Sequence, residues 1–80
     1  MTITYEEARS QALDFLKNIE KSMGIPLSIV DSHVTEYENG WSFPYQSKAF
    51  LDTKDINQSI FGNWPIFVDK KLGKASLQRF

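Results

Sequence analysis

Residues 40–47, GWSFPYQS, decide the fold of this chain. Within this stretch Trp41, Phe43 and Tyr45 alternate with small or polar residues and a proline. Because successive side chains of a strand point to opposite faces of the sheet, this period of two places the three aromatic side chains on one buried face. Pro44 has no N–H group to donate to a neighbouring strand, so we expect a bulge or a locally unpaired edge there.

The segment at the N-terminus predicts a long helix. Thr4 and Glu7 have the spacing of a capping box, in which each side chain bonds the backbone N–H of the other residue. Apolar residues then recur at helical intervals over residues 5–23 and form one stripe. Gly24 follows as a left-handed helix cap. The stripe is expected to pack on the aromatic face of the sheet.

Between the helix and the GWSFPYQS stretch, residues 27–38 predict an irregular strand that bends near residues 31–32. The dipeptide Asn39-Gly40 is typical of a type I′ hairpin turn, since both residues tolerate positive φ angles. The strand and the GWSFPYQS stretch are therefore predicted to pair as a hairpin.

The second half of the chain predicts two further strands. Residues 52–61 form a polar connector that is expected to hold a short helical turn capped by one of its aspartates. Residues 65–69 and 74–80 read as strands joined by a turn, with Gly73 in the left-handed conformation. The predicted architecture is α+β, with one N-terminal helix packed on a four-stranded antiparallel β-meander.

Length and composition restrict the kinds of protein that this chain can be. The chain has 80 residues, a formal net charge of −1 and no cysteine. Its length allows one domain, and the absence of cysteine excludes disulfides and thiolate metal sites and fits a reducing cytosol. A near-neutral charge argues against nucleic-acid binding. Because neither a secretory leader nor an apolar run of membrane-spanning length is visible, we expect a cytoplasmic protein without a membrane partner.

An ordered set of short motifs carries a resemblance to a known family. The motifs are G-W-x-F-x-Y-x-S at Gly40, Trp41, Phe43, Tyr45 and Ser47, G-N-x-P at Gly62, Asn63 and Pro65, and D-K-x-x-G at Asp69 and Gly73. This set resembles the immunity protein 35 family, small α+β proteins of bacterial polymorphic-toxin loci. The resemblance implies that these residues build the fold of a single domain over residues 1–80, which binds and neutralises a cognate toxin without catalysis. Such proteins usually continue beyond the position of Phe80, so a shortened chain and a minimal member both remain open.

Five residues are candidates for contact with a partner. Trp64 stands between Asn63 and Pro65 at the entry to a strand, where an indole is expected to be exposed and to act as an interface anchor. Asp31, Glu36 and Glu38 form an acidic run that could complement a basic groove of a toxin, with Asn39 beside it at the turn. Residues 1–40 hold seven acidic and three basic residues, so the acidic run lies in the negatively charged half of the chain.

The sequence offers little for other functions. His33 is the sole histidine, and zinc would need further His or Cys ligands that the chain lacks. The ligand-rich spacing of a calcium loop is absent, and no nucleophile motif accompanies His33 for a catalytic triad. We therefore expect no enzyme activity, cofactor or metal. The alternative function is a structural module that self-associates through an open edge of its sheet, which would make the chain a homo-oligomer.

Overall fold

The computed structural model describes residues 2–55 and 64–77. Its longest element is helix α1, Tyr5–Met23, which begins with the predicted capping box of Thr4 and Glu7. Gly24 ends the helix in the left-handed conformation, with φ 73°, and its N–H donates to the carbonyl of Glu20. The N-terminal helix is therefore confirmed in extent and in both of its caps.

Six strands of the described residues form two antiparallel sheets. Strands β2 (Thr35–Tyr37), β3 (Gly40–Phe43), β5 (Ile66–Asp69) and β6 (Ala75–Leu77) form a four-stranded sheet in the order β2-β3-β5-β6. Strands β1 (Leu27–Ile29) and β4 (Tyr45–Ser47) form a separate pair. The α+β class and the four antiparallel strands are confirmed, but the expected single meander is divided into two sheets.

The division has a local cause in both strands of the predicted hairpin. A 3₁₀ turn, Asp31–His33, interrupts the first strand between β1 and β2. Pro44 interrupts the second between β3 and β4, and its carbonyl accepts a hydrogen bond from the N–H of Val30 at 2.8 Å. The two interruptions lie side by side, so both strands of the hairpin bend at the same level. The β1–β4 pair therefore separates from the four-stranded sheet.

The type I′ turn predicted at Asn39-Gly40 is wrong. Tyr37 pairs with Gly40, so the two loop residues are Glu38 and Asn39. Neither these residues nor Gly40 has a positive φ angle, which among the described residues occurs at Gly24, Lys54 and Gly73 only. Gly40 is needed for a different reason: a Cβ atom there would meet the Val68 carbonyl oxygen and the Phe67 ring at less than 3.0 Å.

A short second helix follows the GWSFPYQS stretch. Helix α2, Lys48–Thr53, begins at Ser47, whose hydroxyl accepts a hydrogen bond from the N–H of Phe50 at 3.0 Å. The cap of this helix is thus the serine that closes the G-W-x-F-x-Y-x-S motif, and Asp52 lies within the helix instead of capping it. A helical turn capped by Asp55 would lie in residues that the structure does not describe. Residues 56–61 lie outside the described part of the chain, as do Gly62, Asn63 and residues 78–80.

The core lies between α1 and the four-stranded sheet and continues onto the β1–β4 pair. The ring of Tyr5 contacts those of Trp41 and Phe43 with centroid distances of 6.2 and 5.9 Å, which shows that this face of β3 lies against the helix. Tyr45 is also buried, within β4. Among the residues that the structure describes, the buried apolar ones are Ala8, Ala12, Leu16, Leu27, Ile29, Trp41, Phe43, Tyr45, Ile66 and Val68.

A candidate partner-binding surface at the sheet end

Two turns meet at one end of the four-stranded sheet. One joins β2 to β3 and the other joins β5 to β6. The N–H of Lys70 donates to the carbonyl of Asn39 at 3.0 Å, and the Lys70 carbonyl accepts from the N–H of Ile3 at 2.9 Å. These bonds fix both turns against the start of α1. We call Glu38, Asn39, Lys71 and Leu72 at this end the turn surface.

Asp69 gives the second turn a fixed shape. One oxygen of its carboxylate, Oδ1, accepts hydrogen bonds from the N–H groups of Lys71 and Leu72, both at 2.8 Å. Its carbonyl accepts from the N–H of Gly73 at 2.8 Å, and Gly73 has a φ angle of 64°, which a residue with a side chain adopts only with strain. The fixed residues of the D-K-x-x-G motif therefore build the turn, and its two variable positions form the tip.

Leu72 is the most exposed large apolar residue among the described ones. Its side chain is 80% exposed, although the backbone that carries it is held by the Asp69 carboxylate. A concavity of about 560 Å³ lies next to this tip and is lined by residues of both turns and the N-terminus, among them Glu38, Asn39 and Lys71. An apolar side chain on a rigid turn loses little conformational freedom on binding, so Leu72 is suited to anchor a partner.

Lys70 joins the turn surface to the core. Its ammonium Nζ lies 2.7 Å from Glu36 Oε2 and 4.9 Å from the centroid of the Trp41 ring. The side chain of Lys70 is 19% exposed, whereas that of Glu36 is 62% exposed. Glu36, predicted to contact a partner, thus already pairs with a cation of its own chain, and it would meet a partner as part of that ion pair.

Asp31 is paired in the same way, on a different element. Its two carboxylate oxygens lie 3.0 and 3.1 Å from Nε and Nη2 of Arg9, which ties the 3₁₀ turn to α1. The hydrogen bonds with Asp31 are the main cause that raises the pKa of the Arg9 guanidinium above its ordinary value. Strand β2 separates Asp31 from the turn that carries Glu38 and Asn39. The acidic run therefore consists of two internally paired carboxylates and of Glu38 at the turn surface.

Trp64 is exposed, but it lies away from the turn surface. Its side chain is 38% exposed, and Pro65 follows it directly before β5 begins at Ile66. The turn surface lies at the opposite end of β5, roughly 17 Å away for five extended residues. The structure therefore does not bring Trp64 together with Glu38 and Asn39, and one partner would have to cover the length of β5 to contact both.

His33 lies on a second concavity, of about 470 Å³, between the 3₁₀ turn, β4 and α2. Its Nδ1 is 3.0 Å from the hydroxyl of Ser32, and both residues are exposed. Within residues 2–55 and 64–77, no three His, Cys, Asp or Glu side chains come close enough together to hold a metal ion.

Sequence reasoning missed Leu72 as a candidate contact. The turn was predicted, and an apolar residue between Lys71 and Gly73 in a polar turn was a visible signal. Tyr37 was also missed. It is 41% exposed on the face of the sheet away from α1, where its ring contacts Phe67 at a centroid distance of 6.4 Å.

Comparison with known proteins provides the family. In the described part of the chain, no helix is both long and apolar enough to cross a membrane. The chain is 29% identical over 72 residues to "Uncharacterized protein YrhB" of Escherichia coli (strain K12), a match that covers 90% of this chain and 70% of the relative. No solved structure matches. The family model described as "Immunity protein 35" matches residues 6–78, nearly the whole chain, and the protein therefore belongs to the immunity protein 35 family.

Proposed function

We propose that this chain is an immunity protein that binds a cognate bacterial toxin in the cytoplasm and neutralises it stoichiometrically. It acts by covering the active site of the toxin or the path of its substrate, and it performs no catalysis itself. The observation that carries this proposal is the match to the immunity protein 35 family over residues 6–78. The turn surface supports it, because it combines a fixed backbone with an exposed apolar side chain.

The contact is assigned to the turn surface on physical grounds. Leu72 would enter an apolar depression of the toxin, where one well-placed anchor contributes ~2 kcal/mol or more. Glu38 is the member of the acidic run for which the described residues provide no ion-pair partner. It would therefore supply the charge that attracts a basic groove and speeds encounter. An interface of ~800 Å² would cover about one seventh of the 5458 Å² surface of this chain.

The experiment pairs this gene with each neighbouring gene of the same genome whose product is toxic when expressed alone. The toxin is expressed with and without the wild-type chain, growth is recorded, and the stoichiometry of the purified complex is measured by light scattering. We expect growth to be restored and a complex with one copy of the toxin for each copy of this chain. A wild-type chain that neither restores growth nor binds the toxin would refute the proposal.

Variants then test the turn surface. Leu72→Ala and Glu38→Lys are compared with Met23→Ala, which truncates another exposed apolar side chain at the far end of α1. Over 19 residues the helix places Met23 roughly 28 Å from the turn surface. We expect Leu72→Ala to weaken binding about 30-fold, which corresponds to ~2 kcal/mol, and Met23→Ala to leave it within twofold. Unchanged affinity in both turn-surface variants would refute the turn surface as the binding site but would leave the proposed immunity function intact.

A second candidate function is a structural module that self-associates and has no toxin partner. The observation in its favour is that β6 forms an edge of the four-stranded sheet. Restored growth separates the two candidates, because a purely structural module would not protect a cell from the toxin.

A further inference from the structure

On its outer side, the backbone of β6 has hydrogen-bonding groups for which the described residues provide no partner. Within the described residues, β6 pairs with β5 alone, and the N–H of Asp69 donates to the carbonyl of Lys74 at 3.2 Å at the start of this pairing. Since hydrogen-bonded and non-hydrogen-bonded pairs alternate along an antiparallel ladder, Ser76 is bonded to Phe67. The N–H and carbonyl groups of Ala75 and Leu77 consequently point to the free edge.

In the β1–β4 pair, a side chain bonds to a backbone N–H group at the outer edge of each strand. At β1 the N–H of Leu27 donates to the Glu20 carboxylate at 3.0 Å. At β4 the N–H of Ser47 donates to the side-chain oxygen of Gln46 at 3.0 Å. Each contact occupies a backbone donor that a foreign strand would need in order to pair with that edge.

At the opposite edge of the four-stranded sheet, β2 carries a charged residue. Glu36 at its centre is paired with Lys70, and a strand that docked there would have to accommodate both charges. Strand β6, with the sequence Ala75-Ser76-Leu77, has no charge and no proline, and Leu77 is 37% exposed. Charges and prolines are the common means of protecting an edge strand, so within residues 2–55 and 64–77 nothing of this kind protects β6 from another strand.

We propose that a second copy of this chain pairs with β6 in antiparallel orientation about a two-fold axis at Ser76. This register places Ala75 of each copy opposite Leu77 of the other, where their outward backbone groups form four N–H···O bonds. The side chains are self-complementary as well. Ala75 and Leu77 lie on the face that β5 shares with the core, beside Val68 and Ile66, so a small apolar residue meets a large one. Ser76 lies on the opposite face and meets Ser76 of the second copy.

The dimer is weak and depends on concentration. Each copy contributes the three residues of β6, so the buried area is below the ~800 Å² per partner of an ordinary stable interface. We therefore expect a dissociation constant of the dimer above ~1 µM. Self-association of this kind does not require a toxin partner and uses the edge of the sheet opposite to β2, so both properties can occur in one protein.

Sedimentation equilibrium between about 10 µM and 1 mM tests the pairing. We expect the apparent mass to rise from that of the 9.2 kDa monomer towards twice this value as concentration increases. Leu77→Lys places an ammonium group at the edge of each copy and is expected to weaken association at least tenfold. Met23→Lys is the matched control, since it places the same charge on another exposed apolar residue, at the C-terminal end of α1, and it is expected to associate like the wild type.

Amide hydrogen exchange of the wild type provides a second measurement that needs no variant. The amides of Ala75 and Leu77 are expected to exchange more slowly at 1 mM than at about 10 µM. The amide of Ser76, which faces β5, serves as an internal control and is expected to be protected at both concentrations. A mass that stays monomeric throughout, concentration-independent exchange at Ala75 and Leu77, or equal loss of association in both lysine variants would each overturn the proposal.

Discussion

Replacing Gly40 distinguishes two explanations of why a glycine begins β3. The type I′ turn would require a positive φ angle, which asparagine tolerates better than alanine. The structure instead requires space, because a Cβ atom would lie less than 3.0 Å from the Val68 carbonyl and from the Phe67 ring. The ring can rotate away, but the carbonyl belongs to the central strand β5 and cannot move without breaking its pairing with β3. Overpacking of this kind costs ~1–3 kcal/mol, and we expect the upper half of that range for Gly40→Ala.

Urea denaturation, followed by the fluorescence of the two tryptophans and by circular dichroism, measures this loss. Gly24 is the matched control: its φ angle is 73°, and a Cβ atom there would lie in open space, with no heavy atom beyond its chain neighbours within 4 Å. Gly24→Ala is expected to cost ~1 kcal/mol, and Gly24→Asn less, since asparagine accepts the left-handed conformation. At Gly40, asparagine should be no better than alanine, because it has a Cβ atom too. If Gly40→Asn is the more stable of the two, or if Gly40→Ala costs under 0.5 kcal/mol, the steric explanation is refuted.

Three further substitutions test the core, the turn and the candidate contact. Trp41→Ala removes a side chain that is 7% exposed and is expected to cost ~3–5 kcal/mol of unfolding free energy in the same urea assay; a cost below 1 kcal/mol would contradict its core position. Asp69→Ala leaves two turn N–H groups without their acceptor and is expected to cost ~1–2 kcal/mol, whereas Asp69→Asn keeps an oxygen there and costs less. Trp64→Ala is expected to weaken toxin binding by at least ~1 kcal/mol in calorimetry at an unchanged melting temperature; the opposite pattern would place the indole in the core.

Helix α1 could be predicted from sequence because its signals are local. The capping box, the apolar stripe and the glycine cap all lie within residues 4–24, and each depends on neighbours three or four positions away. The burial of Trp41 and Phe43 follows equally from the alternation along one strand. For these elements the tertiary structure adds packing to conformations that the sequence already favours.

The division into two sheets could not be predicted, because it depends on two interruptions that align across a pairing. Pro44 indicated a defect in its own strand, and the bend near Asp31 one in the other, but the bond between Val30 and the Pro44 carbonyl exists only in the folded chain. The pairing of Glu36 with Lys70, 34 positions away, is hidden from sequence for the same reason. The acidic run therefore looked more available to a partner than its geometry allows.

The motifs that identify the family separate the chain into residues that build the scaffold and residues that the scaffold presents. Asp69 and Gly73 shape a turn, and the two variable positions of D-K-x-x-G, Lys71 and Leu72, are held outward on its tip. In G-N-x-P the variable position is occupied by Trp64, which is exposed as well. A change at such a position alters the surface without altering the hydrogen bonds that fix the backbone. This arrangement would let one fold serve different partners, since the residues that specify the fold and those that we propose as partner contacts are different residues on the same short segments.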